Sequence, residues 1–146
     1  MGSSPIIHPI FLLQVKYGHH VMVSSYDIDI DVETKYIPEE SRPNDKRYTF
    51  AYTITMYNIG ITGAQLMRRH WIIQDAHGQI QEVRGVGVVG EQPYLEPSEG
   101  FKYTSTAMIA TPMGYMHGTY YMQAEDGTEF EVEIPRFQLS LPHTLH

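Results

Sequence analysis

The chain has 146 residues, contains no cysteine and carries a formal net charge of −7 at pH 7. This length suits a single domain, and a hydrophobic fraction of 42% supports a packed core rather than a disordered chain. The lack of cysteine excludes disulfides, thiolate metal sites and cysteine nucleophiles, and it fits a protein of the reducing cytoplasm. The negative charge argues against nucleic acid or an anionic membrane as the main partner.

Residues 1–26 differ in composition from the rest of the chain. They contain no acid and, histidine apart, a single base, Lys16, whereas all 17 acids follow later. The apolar run at 6–13 is broken by a proline and preceded by no lysine or arginine, so it resembles neither a secretory signal nor a membrane span. We predict an N-terminal extension over 1–26 and one domain over 27–146. Two interpretations of the extension stay open: a start upstream of a natural initiator at Met22, or an arm that packs on the domain.

The domain is predicted to be built of short β-strands. Apolar and polar side chains alternate strictly over 27–36, and the strand predicted at 47–58 also places its apolar side chains on one face, as half-buried strands do. Further strands are predicted at 65–74, 79–84, 100–109, 118–124 and 128–134, with an edge strand at 136–141. No window has the periodicity of an amphipathic helix. The pattern predicts an all-β fold, an antiparallel β-sandwich of seven to eight strands.

The core is predicted from the apolar faces of these strands. Trp71 is the only tryptophan and lies in the middle of a strand, where such a residue usually packs between the sheets. The other expected core residues are Phe50, Tyr52, Ile54 and Phe130.

A glycine-rich segment is the most conspicuous motif. Residues 85–90 read GVGVVG and match the dinucleotide-binding pattern G-x-G-x-x-G. In such a site a helix follows the glycines and holds the pyrophosphate, but prolines at 93 and 97 disfavour a helix here. We interpret 85–97 as a loop that brings backbones close at a sheet edge, with an anion-binding nest of N–H groups as the alternative. The candidate binding residues are Arg84, Gly85, Gly87, Gly90, Glu91, Gln92 and Pro93.

Metal and catalytic sites are not predicted. The eight histidines, among them the adjacent pair at 19–20 and two near the C-terminus, do not have zinc-ligand spacing. Acid rows at 27, 29 and 31 and at 129, 131 and 133 would attract a divalent cation only loosely. The hydroxyls of 104–106 have no spacing that ties them to His117 or Asp126, and no nucleophile elbow is present. We therefore expect no metal site, no cofactor, no catalytic residue and no enzyme activity.

Several ordered stretches of the domain resemble the ApaG family (DUF525 domain), over roughly residues 28–146. They are RYTFAYTI at 47–54, HWIIQD at 70–75, EVRGVGVVGEQP at 82–93, FKYTS at 101–105, TPMGYMHG at 111–118 and FEVEIP at 130–135. The chain departs from the family pattern at Val86, where the family often has an acid or glycine, and at Thr106, where it usually has glycine. Val86 makes the loop less polar, which weakens a cation or phosphate role.

The resemblance implies a fibronectin type III or immunoglobulin-like sandwich and a small bacterial protein. Such proteins are often encoded near a diadenosine tetraphosphate hydrolase and a ribosomal RNA dimethyltransferase. The same domain occurs in eukaryotic F-box proteins and in a polymerase-interacting protein, where it resembles a protein-binding module. An older family name refers to cobalt and magnesium efflux, but it specifies no chemistry and the family supplies no catalytic residues.

Residues and resemblance together predict a non-enzymatic binding module. We expect it to recognise a protein partner of unknown identity through an exposed sheet face or the 85–93 loop. Two alternatives stay open: a sensor that binds a phosphate-rich nucleotide or pyrophosphate at the glycines, and handling of divalent magnesium or cobalt ions. A homodimer through paired strand edges is a further alternative.

Overall fold

The computed structural model describes residues 6–9 and 24–142, which form two antiparallel β-sheets. The strands are β1 (Ile6–Pro9), β2 (Ile28–Tyr36), β3 (Tyr48–Asn58), β4 (Ala64–Asp75), β5 (Ile80–Val86), β6 (Tyr94–Leu95), β7 (Glu99–Ile109), β8 (Met113–Ala124) and β9 (Glu129–Ser140). Two short 3-10 turns, Pro38–Glu40 and Pro43–Asp45, lie in the polar connection between β2 and β3. Among the described residues, no helix has the length and apolar character needed to cross a membrane.

The two sheets face each other as a sandwich. The first sheet has the strand order β1-β7-β3-β2, and the second has the order β5-β4-β8-β9 with β6 beside β4. Without the short β1 and β6, a three-stranded sheet packs on a four-stranded one, as in fibronectin type III domains. The predicted antiparallel sandwich of seven to eight strands is confirmed. Seven strands of the described part are long, and β1 and β6 add two short ones.

The core lies between the sheets because each strand alternates its side chains between core and solvent. Phe50, Tyr52 and Ile54 of β3 are buried, and Trp71 of β4 is only 1% exposed. The ring of Trp71 packs edge-on against that of Tyr52, with 5.2 Å between their centroids. Phe130 of β9 is half-buried and packs against the margin of the core. The predicted core residues are therefore found in or against the core.

The last two predicted strands, 128–134 and 136–141, are in fact a single strand, β9. The pairing with β8 shifts so that Pro135 and Arg136 lie opposite one residue, His117, in a β-bulge. A bulge on an edge strand tolerates proline because the ladder needs no N–H at that point. The predicted break at Pro135 is therefore wrong.

The predicted loop over 85–97 is shorter than expected. β5 continues to Val86, and Tyr94–Leu95 forms a short strand beside the start of β4. The strand predicted at 118–124 likewise begins earlier, at Met113, because this residue already pairs with Ser140 of β9. In both cases, pairing with a neighbouring strand determines where the strand begins or ends.

The strand β1 lies within the predicted N-terminal extension, 1–26. It pairs antiparallel with residues 99–102 of β7, in line with the interpretation of the extension as an arm on the domain. Residues 10–23, including Met22 and two histidines, and residues 143–146 with the C-terminal histidines lie outside the described residues. The domain boundary after residue 26 stays a prediction.

Candidate functional site

Residues 85–93, here called the glycine loop, fold back as a narrow hairpin between β5 and β6. Val88 and Glu91 exchange both backbone hydrogen bonds, each 2.8 Å long. Between them Val89 has a φ of +44° and Gly90 a φ of +79°. Two central residues with positive φ are typical of a type I′ turn. Because a positive φ is unfavourable for β-branched Val89, contacts around the turn must hold it in this conformation.

Two of the glycines allow this backbone path. A Cβ on Gly87 would lie 2.1 Å from the carbonyl oxygen of Glu91, and the φ of Gly87 is +60°. The N–H of Gly87 donates to the carbonyl of Met67 in β4 at 2.9 Å. Gly90 also has a positive φ, but a Cβ there would meet nothing within 4 Å. The glycines thus bring backbones close at the edge of a sheet.

Three side chains attach the glycine loop to the rest of the second sheet. Nε2 of Gln65, in β4, donates to the carbonyl of Gln92 at 3.0 Å. Nη1 of Arg69, in β4, donates to the carbonyls of Val86 and Gly87, at 3.2 and 2.8 Å. Nε2 of Gln92 donates to the carbonyl of Met67 at 3.1 Å. The predicted loop residue Gln92 is therefore an anchor of the hairpin.

The geometry of the glycine loop disfavours the phosphate-binding alternative. The N–H groups of Gly87, Val88 and Glu91 already donate to backbone carbonyls, so an anion would have to compete for them. After Pro93, which is buried, the described chain continues into the strand β6. A dinucleotide site needs a helix at this point, because the helix N-terminus binds the pyrophosphate.

Arg84 lies in a surface cluster rather than in the glycine loop. Its guanidinium is 3.6 Å from the carboxylate of Glu82, and Nε2 of His70 is 3.0 Å from the same carboxylate. Exposed ion pairs of this kind contribute little to stability because water screens them. Arg84 was predicted to bind together with the residues of the glycine loop, but its side chain contacts Glu82 instead.

A groove of about 520 Å³ opens beside the glycine loop, on the outer face of the second sheet. The guanidinium of Arg68 lies over the ring of Tyr121, 4.7 Å from its centroid, in a cation–π contact. Val86 is 67% exposed and lines the groove together with Gln92 of the glycine loop. The remaining lining residues are Met67, Met122, Gln123, Glu129, Phe130 and Glu131.

The candidate binding residues predicted from the sequence did not include Arg68, Arg69 or Tyr121. Arg68 and Tyr121 are paired residues of β4 and β8, but a bulge between Leu66 and Arg68 shifts this register. Nothing in the sequence marks the bulge.

The hydroxyl, imidazole and carboxylate groups considered for catalysis lie in different parts of the molecule. Ser105 is on β7, opposite Tyr52 of the neighbouring strand β3. His117 is exposed on β8. Asp126 lies in the β8–β9 turn, where the Tyr26 hydroxyl donates to its carboxylate and lowers its pKa. The structure does not bring these three groups together.

The two rows of acidic side chains that could attract a divalent cation lie on different strands. One row, Asp27, Asp29 and Asp31, is exposed at the start of β2, and the other, Glu129, Glu131 and Glu133, is exposed along β9. Among the residues that the structure describes, no three histidine, aspartate or glutamate side chains are placed to hold a metal ion.

The different roles of the glycines give a prediction about stability. Gly87→Ala is expected to lower the free energy of unfolding by about 2–3 kcal/mol, because it adds both a steric clash and an unfavourable φ. Gly90→Ala adds only the unfavourable φ and should cost about 1 kcal/mol. Urea unfolding followed by Trp71 fluorescence measures both variants. Equal losses would contradict the close contact between Gly87 and Glu91.

The fold and the edge hairpin define the class of the protein, an antiparallel β-sandwich of the fibronectin type III type. The family model described as "DUF525: ApaG domain" matches residues 38–124 of the chain. The chain belongs to the ApaG family.

Known proteins and solved structures resemble most of the chain. Protein ApaG of Thiobacillus denitrificans is 56% identical over 121 residues, which are 83% of this chain and 95% of that protein. Protein ApaG of Ralstonia nicotianae is 52% identical and covers 85% of this chain and 100% of its own length. The crystal structure of the putative ApaA protein from Bordetella pertussis has a TM-score of 0.82 and 48% identity, with 84% of this chain and all of that chain covered.

Proposed function

We propose that this protein is a non-enzymatic module that binds a partner protein in the groove beside the glycine loop. The observation that carries the proposal is the groove itself, about 520 Å³ in volume, which joins the two surfaces expected to bind, a sheet face and the loop. Arginine, tyrosine, methionine and phenylalanine are enriched in protein interfaces, and all four residue types line this groove.

The groove offers a preformed contact surface. The stacked Arg68 and Tyr121 hold each other in place, so little side-chain entropy is lost when a partner packs on them. Val86 adds an exposed aliphatic side chain, and Glu129 and Glu131 place negative charge on the opposite wall. This combination fits an extended segment with an apolar residue next to a basic one.

The bacterial cytoplasm is the setting that we propose for this interaction. The cysteine-free sequence suits a reducing compartment, and the similar ApaG proteins come from bacteria such as Thiobacillus denitrificans. The hydrogen bonds within the glycine loop leave less support for a pyrophosphate sensor, and the separated acid rows leave less for a cation carrier.

Site-specific photo-crosslinking tests the proposal in the source cell. A photoreactive amino acid at Val86 is expected to capture one partner, whereas the same group at Ile61 should not. Ile61 is a matched control because it is 64% exposed, against 67% for Val86, and does not line the groove. The captured protein is then purified and its affinity measured by calorimetry.

Substitutions decide whether the groove is responsible for the affinity. Val86→Asp and Arg68→Glu should each weaken binding of the purified partner at least about tenfold, as expected for interface anchors, while Ile61→Asp leaves it unchanged. Equal affinity in all three variants would overturn the proposal. Light scattering at the same concentrations shows whether a second copy of the chain occupies the groove, which would contradict a separate partner.

A further inference from the structure

A second, smaller pocket of about 200 Å³ lies between the two sheets, under the glycine loop. Val88 and Val89 of the loop bound it on one side, and Trp71 and Ser105 belong to its walls. It is separate from the groove described above, and no residue lines both cavities.

Two of the polar side chains around this pocket, Arg69 and Trp71, can only donate hydrogen bonds. The indole Nε1 of Trp71 is buried and has no hydrogen-bond partner within residues 6–9 and 24–142. An indole N–H can only donate, and leaving a buried donor unpaired is unfavourable. The guanidinium of Arg69 also only donates. The side chains of Tyr52, Tyr103 and Ser105 add hydroxyls, which can donate or accept. A group rich in acceptors is therefore the natural complement.

Arg69 gives this pocket a positive charge. Both hydrogen bonds from its guanidinium to the glycine loop come from Nη1, so Nη2 and Nε are free of those contacts. Among the described residues, neither of the two ion pairs includes Arg69, and none of the pocket-lining residues is acidic. A half-buried guanidinium without a carboxylate partner favours an anion beside it.

Gly85 supports this interpretation of Arg69. It lies opposite Arg69 in the β4–β5 pairing, and a Cβ at this position would be 2.7 Å from Nη1 and 2.9 Å from Cζ. Any larger residue would displace the guanidinium. The first glycine of the motif thus provides space for a cation at the pocket.

We propose that this pocket binds a short aliphatic carboxylate, with the carboxylate held by Arg69 and the indole N–H of Trp71. The planar guanidinium matches a carboxylate with two parallel hydrogen bonds. The side chains of Ile73, Val83 and Val88 supply apolar walls for a short alkyl chain. The site does not depend on the groove and would remain if the proposed protein partner did not exist.

The single tryptophan makes the test direct, because the uniformly 15N-labelled full chain has one indole N–H resonance. Sodium propionate is titrated against it, with sodium chloride at equal ionic strength as the reference. The indole resonance should shift and saturate at millimolar propionate, with no comparable shift in chloride. An unchanged indole resonance would overturn the proposal, and a response to inorganic phosphate but not to propionate would overturn the assignment to a carboxylate.

Matched variants assign the effect to the pocket. Arg69→Lys keeps the charge but loses the planar fork, and it should weaken propionate binding at least tenfold. Arg84→Lys is the control, because Arg84 lies in the surface cluster with Glu82, and it should bind propionate as the unaltered protein does. Equal binding by both variants would contradict the role of Arg69. If the spectrum shows that Arg69→Lys does not fold, Ser105→Ala provides the test: weaker propionate binding is expected, and unchanged binding would contradict the site.

Discussion

Replacing Trp71 by alanine is expected to lower the free energy of unfolding by about 4 kcal/mol, the size typical of a large aromatic side chain removed from a core. Trp71 packs edge-to-face against Tyr52, Phe137 and Tyr120, with ring centroids 5.2, 5.9 and 6.2 Å away. These rings belong to β3, β9 and β8, so Trp71 of β4 connects the two sheets. Its loss removes apolar burial and three aromatic contacts together.

The measurement is urea unfolding followed by circular dichroism, since the variant has no tryptophan fluorescence. Trp71→Phe should recover about half of the loss, because it restores part of the buried area. Ile72→Ala is the control, one residue further along β4 on the opposite face and only half-buried, and it should cost about 1 kcal/mol. A smaller loss for Trp71→Ala than for Ile72→Ala would contradict the central position of the tryptophan.

The strands and their buried faces could be predicted because each strand has a solvent face and a core face. Alternation over 47–58 correctly placed Phe50, Tyr52 and Ile54 inside. The β-bulges could not be predicted, because a bulge does not change the composition of a strand. The continuity of β9 through Pro135 and the shifted register after Leu66 both depend on which residues the neighbouring strand presents.

The candidate site was predictable only in part. The GVGVVG motif correctly drew attention to residues 85–90, but its glycines shape an edge hairpin and leave room for Arg69. Side chains that meet across strands depend on register, and register depends on the whole sheet. The groove contributions of Arg68 and Tyr121, and the approach of Arg69 to Gly85, could therefore not be derived from local sequence.

The net charge of −7 is distributed unevenly over the sandwich. The exposed acid rows lie at β2 and β9, each of which is at one edge of its sheet. Arg68, Arg69 and Arg84 lie on β4 and β5, toward the other side of the second sheet. Glu129 and Glu131 share the outer groove with Arg68, whereas Arg69 is the charged residue of the inner pocket, which suits a carboxylate there despite the acidic total.

The buried tyrosine pair is expected to make the protein lose stability above about pH 10. Tyr103 of β7 is 2% exposed and Tyr120 of β8 is fully buried, and their hydroxyls hydrogen-bond to each other across the sandwich. Burial raises the pKa of Tyr103 far above its ordinary value. Burial, followed by the nearby Tyr103 hydroxyl, also raises the pKa of Tyr120 well above 10.0.

The sign of the effect follows from proton binding. Below about pH 10 both hydroxyls are protonated in the folded and the unfolded chain, so their contribution is fully present. Above this pH the unfolded chain releases protons that the folded protein keeps. The free energy of unfolding should therefore fall by about 1.4 kcal/mol per pH unit for each of the two tyrosines.

Urea unfolding from about pH 8 to about pH 11 measures this slope in the unaltered protein and in the Tyr103→Phe/Tyr120→Phe double variant. Above pH 10 the free energy of unfolding of the double variant should fall less steeply than that of the unaltered protein, by a difference of about 2.8 kcal/mol per pH unit, since neither phenylalanine releases a proton. At neutral pH either single variant should cost about 1–3 kcal/mol because it leaves one buried hydroxyl unpaired, whereas the double variant removes both partners and should cost less. Identical alkaline slopes in the unaltered and double-variant proteins would show that the pair ionises as readily when folded as when unfolded, and would contradict its burial.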